Sequence, residues 1–144
     1  MTEDRLNKEY TILQSMLKDK QFRFLDFNTA KPNLTVALQA NSENIYTIKI
    51  DLSDFPNNVP AAFITNPKPL RDCYGKPMLE ASHELHTLLG SDGCTKICHY
   101  GPREWQPNVT LWKVIVKIRM WLEAYETHLK TGEPLNKWLS SCKY

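Results

Sequence analysis

Residues 93–107 have the sequence GCTKICHYGPREWQP, and the rest of the chain is organised around this stretch. It contains two of the four cysteines, Cys94 and Cys98, and His99 follows the second directly. A Trp-x-Pro corner at 105–107 closes it. A loop that combines thiols, turn residues and a large aromatic side chain is typical of a functional segment held by a rigid scaffold.

The segment that follows predicts a long amphipathic helix. Asn108 or Thr110 caps its start, and Gly132 ends it before Pro134 prevents continuation. Apolar residues recur at helical spacing and form a broad stripe that we expect to be buried: Leu111, Val114, Ile115, Ile118, Trp121, Leu122 and Tyr125. Residues 133–141 predict a short terminal helix that packs back on the domain.

A second helix is predicted at the start of the chain, over residues 2–18, with Thr2 as its cap. One face is expected to pack on the core through Leu6, Tyr10, Leu13 and Leu17. The opposite face is expected to be solvated and carries Lys8, Glu9, Gln14 and Lys18.

Four strand-like runs lie between the helices, at residues 22–27, 34–40, 45–52 and 61–65. The third alternates apolar and polar side chains, which predicts a half-buried strand. A polar turn at 41–44 joins the second and third strands, and the short links predict an antiparallel meander. Prolines and glycines without a firm period predict a long surface loop from 68 to 93.

Composition limits the possible classes of protein. The 144 residues, with 42% hydrophobic and 24% charged side chains, predict one compact domain over 1–144. A net charge of +2 with mixed signs gives no indication of nucleic-acid binding. Neither a signal peptide nor an apolar run of about 20 residues is present, so we expect a cytoplasmic protein without a membrane span, whose cysteines are thiols or ligands rather than disulfides.

This order of elements, together with two motifs, resembles the ubiquitin-conjugating enzyme family, in particular its short prokaryotic members. FPNNVPAAF at 55–63 is similar to the family's Tyr/Phe-Pro…Pro-Pro-x-x-x-Phe corner after the third strand. Residues 93–111 are similar to its Gly-x-Ile-Cys-Leu…Trp-x-Pro…Thr-Leu signature. The resemblance covers nearly the whole chain. It implies that family's α+β fold, a four-stranded antiparallel meander with an N-terminal helix and a long C-terminal helix.

The resemblance also implies an enzyme, a transferase in which Cys98 carries a protein C-terminus as a thioester and passes it to an amine. The donor would be a ubiquitin-like modifier or the C-terminus of a cyclic-oligonucleotide synthase, since short prokaryotic relatives occur in anti-phage operons. Trp105 and Pro107 would brace the loop. The first helix, near Arg5 and Lys8, would dock a possible separate activating enzyme. No cofactor and no metal are implied.

One part of the family pattern is missing. Eukaryotic members have a His-Pro-Asn triplet before the cysteine, whose asparagine helps to stabilise the oxyanion, and this chain lacks it. SHELH at 82–86 occupies that general region. His86 is therefore our first candidate for a catalytic helper and His83 the second.

The reaction requires a thiolate, and a free cysteine with a pKa of about 8.5 is only slightly ionised near neutrality. Three neighbours in sequence could favour the thiolate if they face the sulfur, namely Lys96, His99 and Arg103. Asp92 could orient an incoming lysine, or it could simply form a turn with Gly93.

Three alternatives stay open at this point. Cys94 could be the nucleophile. The domain could be a catalytically inactive binding module of the same fold. It could also be a zinc-stabilised interaction module, because nitrogen and sulfur ligands are available at His83, His86, Cys94, Cys98 and His99. Their spacing matches no common zinc finger.

Overall fold

The computed structural model describes residues 1–139 and has an α+β architecture. Helix α1 (Glu3–Met16) precedes a six-stranded antiparallel sheet, and helix α2 (Leu111–Thr131) follows it. The strands lie in the order β1-β2-β3-β4-β6-β5, with bounds β1 Phe22–Leu25, β2 Asn33–Gln39, β3 Ile45–Asp51, β4 Ala62–Asn66, β5 Thr87–Ser91 and β6 Cys94–Ile97. Single 3-10 turns occur at Asp19–Gln21 and Leu135–Lys137.

The predicted meander corresponds to β1 to β4, but the prediction of four strands is wrong because the sheet has six. The end of the predicted surface loop forms a hairpin, in which β5 pairs with β6 and β6 pairs with β4. Asp92 and Gly93 make its turn with φ values of 54° and 74°. Left-handed backbone is favourable for glycine and tolerated by aspartate, which explains this dipeptide at the turn.

Helix α2 has the predicted buried stripe. All seven residues named for it are buried, and they join the inward-facing side chains of β2 and β3 in one hydrophobic core. Thr110 is the N-cap, since its hydroxyl oxygen accepts a hydrogen bond from the Lys113 N–H at 3.2 Å. Gly132 ends the helix with a φ of 75°.

Helix α1 packs differently from the prediction. Leu13 is fully buried as expected, but Tyr10 is 45% exposed. Glu9, which was expected to be solvated, is 0% exposed. Its carboxylate accepts hydrogen bonds from the backbone N–H of Leu111 at 2.6 Å and from Nε of Arg5 at 3.0 Å. Glu9 is buried at this position because the first backbone N–H groups of α2 have no acceptor within their own helix, and the carboxylate supplies one.

Arg5 extends this contact to the segment before α2. Its guanidinium donates to the carbonyl oxygens of Pro107 at 2.6 Å and Val109 at 2.9 Å. It also lies over the Phe55 ring, 5.0 Å from the centroid. Arg5 is therefore used inside the molecule and is not part of a free docking face of the kind implied by the family resemblance.

The two motifs that carry the resemblance pack against each other. Phe55 and Trp105 make an edge contact with centroids 6.1 Å apart. The indole N–H of Trp105 donates to the carbonyl of Pro56 at 2.8 Å. The bracing role implied for Trp105 thus has a geometric basis, because its ring and its N–H both hold the 55–56 corner.

The C-terminal segment is only partly described. In place of the predicted helix at 133–141 there is the single 3-10 turn, whose Leu135 is fully buried. Residues 140 and 141 of that predicted helix, and Cys142, lie outside the described residues. Among residues 1–139, neither helix combines the length and the apolar composition that a membrane span requires.

We expect the Glu9 contact to dominate the stability of the α1–α2 junction. Glu9→Ala leaves the Leu111 N–H and the Nε–H of Arg5 without their acceptor and removes the counter-charge of Arg5, so the free energy of unfolding should fall by about 3 kcal/mol or more. Glu9→Gln keeps an acceptor oxygen and should cost less. Urea unfolding followed by circular dichroism measures both. Lys8→Ala, on the exposed side of the same helix, is the control and should change stability by less than about 0.5 kcal/mol.

Equal midpoints for Glu9→Ala and Lys8→Ala would show that the buried carboxylate adds nothing to the junction.

Candidate active site

Cys98 is the first residue after β6, at the end of the sheet that faces α2. It is 4% exposed, and its backbone N–H donates to the carbonyl of His86 at 2.9 Å. The structure has the Cys98 sulfur in a disulfide, whereas Cys73 and Cys94 are free thiols. The expectation of reduced cysteines is therefore wrong for Cys98, and reduction has to precede any reaction of this sulfur as a nucleophile.

A small cavity of about 40 Å³ adjoins Cys98. Its walls come from the segment before β5, the loop after β6, helix α2 and the C-terminal turn: His86, Cys98, His99, Tyr100, Gly101, Glu104, Lys117, Met120, Trp121 and Leu139. This volume is enough for a few water molecules and too small for a peptide. The cavity can thus hold groups that assist a reaction at the sulfur, while a larger substrate has to approach from the surface.

A second depression reaches Cys98 from the other side. It has a volume of about 190 Å³ and lies between the 59–61 corner and the loop after β6. Its lining is mainly apolar, with one lysine: Val59, Ala61, Leu88, Lys96, Ile97, Cys98, His99, Tyr100 and Pro102. Its size and lining suit an extended chain of small residues better than the 40 Å³ cavity does.

The structure brings His86 next to Cys98. His86 has a left-handed φ of 51° and is 3% exposed. Its carbonyl accepts hydrogen bonds from the Cys98 N–H and from the Trp121 indole N–H, the latter at 3.0 Å. Its Nε2 is buried and has no hydrogen-bond partner among residues 1–139. Burial, with a smaller effect of the nearby His83, lowers the pKa of His86, so the ring is neutral at pH 7.

His83 lies one layer further out. Its side chain is exposed, and its ring stacks on that of His86 with centroids 6.0 Å apart. It does not line the Cys98 cavity. Of the two predicted catalytic helpers, His86 lines the cavity, whereas His83 stacks on the ring of His86.

The prediction that His99 supplies positive charge is wrong. Its Nε2–H donates to the carbonyl of Pro60 at 2.8 Å, and the side chain is buried. Burial lowers the pKa of His99 to about 4, so it is neutral at pH 7. Arg103 is exposed and lines neither depression, and the Lys96 ammonium lies over the Phe63 ring at 5.8 Å.

Sequence reasoning missed Lys117. This residue of α2 lines the Cys98 cavity, and its Nζ lies 5.2 Å from the centroid of the Tyr100 ring. It is distant from Cys98 in sequence and lies beside the apolar stripe, where lysines usually mark a solvated face. The only available signal was its position at the edge of that stripe, between Val114 and Trp121.

Cys94 and Asp92 lie at the other end of β6. Cys94 begins this strand and is four residues from Cys98, about 13 Å along an extended chain, and Asp92 lies in the turn before it. Cys94 lines a different depression, together with Asp92, Lys49 and Phe63. This placement disfavours Cys94 as an equivalent of Cys98 and leaves Asp92 with a turn role. His86, Cys98 and His99 line the same cavity, but residues 1–139 contain no group of three His, Cys, Asp or Glu side chains arranged to bind a metal ion.

A protein-family model described as Type II CBASS E2 protein matches residues 13–141. The chain belongs to this family. The match includes Cys98, the whole sheet and α2, and it confirms the resemblance to ubiquitin-conjugating enzymes of anti-phage cyclic-oligonucleotide signalling. Membership implies an E2-like conjugation role for this CBASS E2 protein. Comparisons with curated proteins and with solved structures gave no match.

The buried, neutral His99 predicts a specific dependence of stability on pH. Its pKa is about 4 in the folded protein and 6.5 without the environment of the fold, so between these values the unfolded chain binds a proton that the folded chain does not. The part of the folding stability that is linked to this neutral imidazole is fully present above pH 6.5 and is lost as the pH falls toward 4. From pH 7 to 4.5 the wild type should therefore lose on the order of 2 kcal/mol more than His99→Gln.

Urea titrations of both proteins at the two pH values provide this comparison. Other groups titrate alike in the wild type and in His99→Gln, so their effects cancel in the difference. An equal loss of unfolding free energy in both proteins would contradict the assignment of a neutral His99.

Proposed function

We propose that this CBASS E2 protein carries a protein C-terminus as a thioester on Cys98 and transfers it to an amine. The donor is the C-terminus of a cyclic-oligonucleotide synthase or of a ubiquitin-like protein. The supporting observation is the placement of Cys98: it follows β6 directly and lines both the mainly apolar depression of about 190 Å³ and the smaller cavity that His86 also lines.

The reaction has two steps. In the first, the Cys98 thiolate attacks an activated C-terminal carbonyl, a C–S bond forms and the activating group leaves. In the second, an amine attacks the thioester carbonyl, a C–N bond forms, the C–S bond breaks and the amine loses a proton. Each step passes through an oxyanion, so a positioned donor beside the sulfur increases the rate. A separate activating enzyme is a possible source of the activated donor.

His86 is the first candidate for that donor. Its neutral ring has a buried Nε2 without a hydrogen-bond partner among residues 1–139, and this nitrogen can donate where the family's asparagine amide would otherwise serve. Two hydrogen bonds to its carbonyl, from Cys98 and Trp121, fix its backbone relative to the nucleophile. His83, the second candidate, stacks on His86 and limits the movement of its ring. A donor that is held before the reaction requires little reorganisation during it.

A second candidate function is binding without catalysis. The burial of Cys98 and its disulfide favour this alternative, because neither leaves a nucleophile ready to react. The domain would then hold the cyclase or another partner through the same fold. The two functions differ in one observable, a covalent adduct on Cys98 in the reduced protein.

The decisive experiment combines reduced protein with its genomic neighbours. The protein is co-expressed with them, treated with a phosphine reductant and analysed on gels with and without thiol, beside Cys98→Ser and Cys94→Ser. We expect a slower band in wild type and Cys94→Ser that thiol removes, because thiols cleave thioesters. Cys98→Ser should lack this band or should trap an oxyester that survives thiol, whose mass identifies the donor.

A phosphine leaves thioesters intact while it reduces disulfides, so a disulfide-linked band is excluded beforehand. If only Cys94→Ser removes the band, the nucleophile is Cys94. If no adduct forms with any neighbour, binding without catalysis becomes the better account.

The role of His86 gives a separate prediction. His86→Gly retains a residue that tolerates positive φ but withdraws every side-chain donor, and it should slow thioester formation and discharge by about 100-fold. His83→Asn should cost less than about 10-fold, because its ring acts through His86. Single-turnover assays with reduced protein measure both rates, and urea midpoints check folding. A greater loss in His83→Asn would transfer the helper role to His83.

A further inference from the structure

Lys117 occupies an unusual electrostatic position on α2. Its ammonium lies over the face of the Tyr100 ring, and the side chain lines the same cavity as Cys98 and His86. Tyr100 is two residues after Cys98, so the cation–π contact holds the positive charge beside the loop that carries the sulfur.

This ammonium has no carboxylate within 4 Å among residues 1–139. The described ion pairs of α2 and its surroundings involve other residues, such as Arg119 with Glu123 at 3.0 Å. Glu104 lines the same cavity, yet it makes no ion pair with Lys117. Lys117 is only partly buried, so its ammonium can remain near water, and no ion pair within residues 1–139 neutralises its charge.

The other groups around Cys98 do not supply this charge. His86, from the segment before β5, and His99, from the loop after β6, are both neutral at pH 7 because burial lowers their pKa values. Glu104, from the same loop, is the negative group of the cavity, and Lys96 of β6 lines the opposite depression with its ammonium over Phe63. Among the described residues that line the 40 Å³ cavity, Lys117 is thus the permanent cation.

The charge of Lys117 reaches the immediate neighbour of the nucleophile. After burial, Lys117 contributes to the lowering of the pKa of His99, whose backbone is bonded to that of Cys98, and its effect is larger than that of Lys96. A field that disfavours a proton on His99 also favours loss of the proton from the adjacent thiol.

We propose that Lys117 stabilises the thiolate of Cys98 once this residue is reduced, with the thiol proton passing to solvent. The proposed function gives the thiolate its use, as the nucleophile of the transfer, but the effect of Lys117 on the thiolate does not depend on that transfer. It assigns to α2 the charge that the loop itself lacks, and it explains why a lysine rather than a neutral residue lies at the edge of the apolar stripe. Opposite charges on the walls of one small cavity favour each other's ionised forms.

The test measures the thiolate without any conjugation partner. Reduced protein is alkylated with iodoacetamide from pH 5.5 to 9.5, and peptide mass spectrometry gives the rate at Cys98 and at Cys94 in the same sample. In Lys117→Met the midpoint of the Cys98 pH profile should rise by about one unit, because Met keeps the apolar stem but removes the charge. The Cys94 profile, about 13 Å away across β6, should not move.

Two further variants control for structure. Lys117→Arg retains a cation and should keep the wild-type midpoint, and Lys113→Met, an exposed change one turn earlier on α2, should also leave it unchanged. An unshifted Cys98 profile in Lys117→Met overturns the proposal. So does an equal shift in Lys113→Met, or a failure of Cys98 to react at any pH while Cys94 is alkylated.

The outcome is independent of the proposed function. A shifted midpoint without any thioester in the gel assay would leave the role of Lys117 intact and reject the transferase. A thioester with an unshifted midpoint would do the reverse.

Discussion

The buried carboxylate of Glu9 is the contact on which the arrangement of the two helices depends. The first N–H groups of a helix have no partner within it, and in α2 Thr110 satisfies one of them while Glu9 satisfies another from a different helix. A negative charge at this end also interacts favourably with the helix dipole. Arg5 balances that charge and binds the carbonyls of the segment leading into α2. The start of α2 is thereby fixed against α1, and with it the side chains that α2 presents to Cys98.

The loop after β6 is held at both ends by backbone carbonyls from other parts of the chain. At its start, the His86 carbonyl receives the Cys98 N–H and also the Trp121 indole, so one peptide group links the loop to α2. At its end, the Trp105 indole donates to the Pro56 carbonyl. The position of Cys98 therefore depends on contacts distant in sequence, and Cys98 keeps its place relative to His86 and Lys117 without being part of a regular element. Such preorganisation is what acyl transfer requires of its scaffold.

The parts of the fold that sequence predicted are those whose pattern is local. The buried stripe of α2 and the half-buried face of β3 follow from side chains that repeat every 3.6 residues in a helix and every two in a strand. The end of α2 at Gly132 follows from the ease with which glycine adopts left-handed backbone. The β5–β6 hairpin has no such local pattern. Both strands are short, and in β5 the neighbouring Leu88, Leu89 and Gly90 do not alternate between apolar and polar side chains. Glu9 was assigned to the solvated face for a related reason. Its burial is favourable only because Leu111 and Arg5 meet it, and the Leu111 contact joins residues 102 positions apart.

The same distinction applies to the candidate site. Cys98 and His86 were named from motif and position, whereas the charge assigned to His99 was wrong because its partner, the Pro60 carbonyl, comes from a separate corner of the chain. Burial disfavours the charged form of a side chain, so the two histidines that line this cavity are neutral. A lysine at the edge of an amphipathic helix escapes this effect, since its apolar stem can lie along the protein while the ammonium remains near water. Positive charge at this cavity is therefore more readily supplied by α2 than by the loop that contains the cysteine.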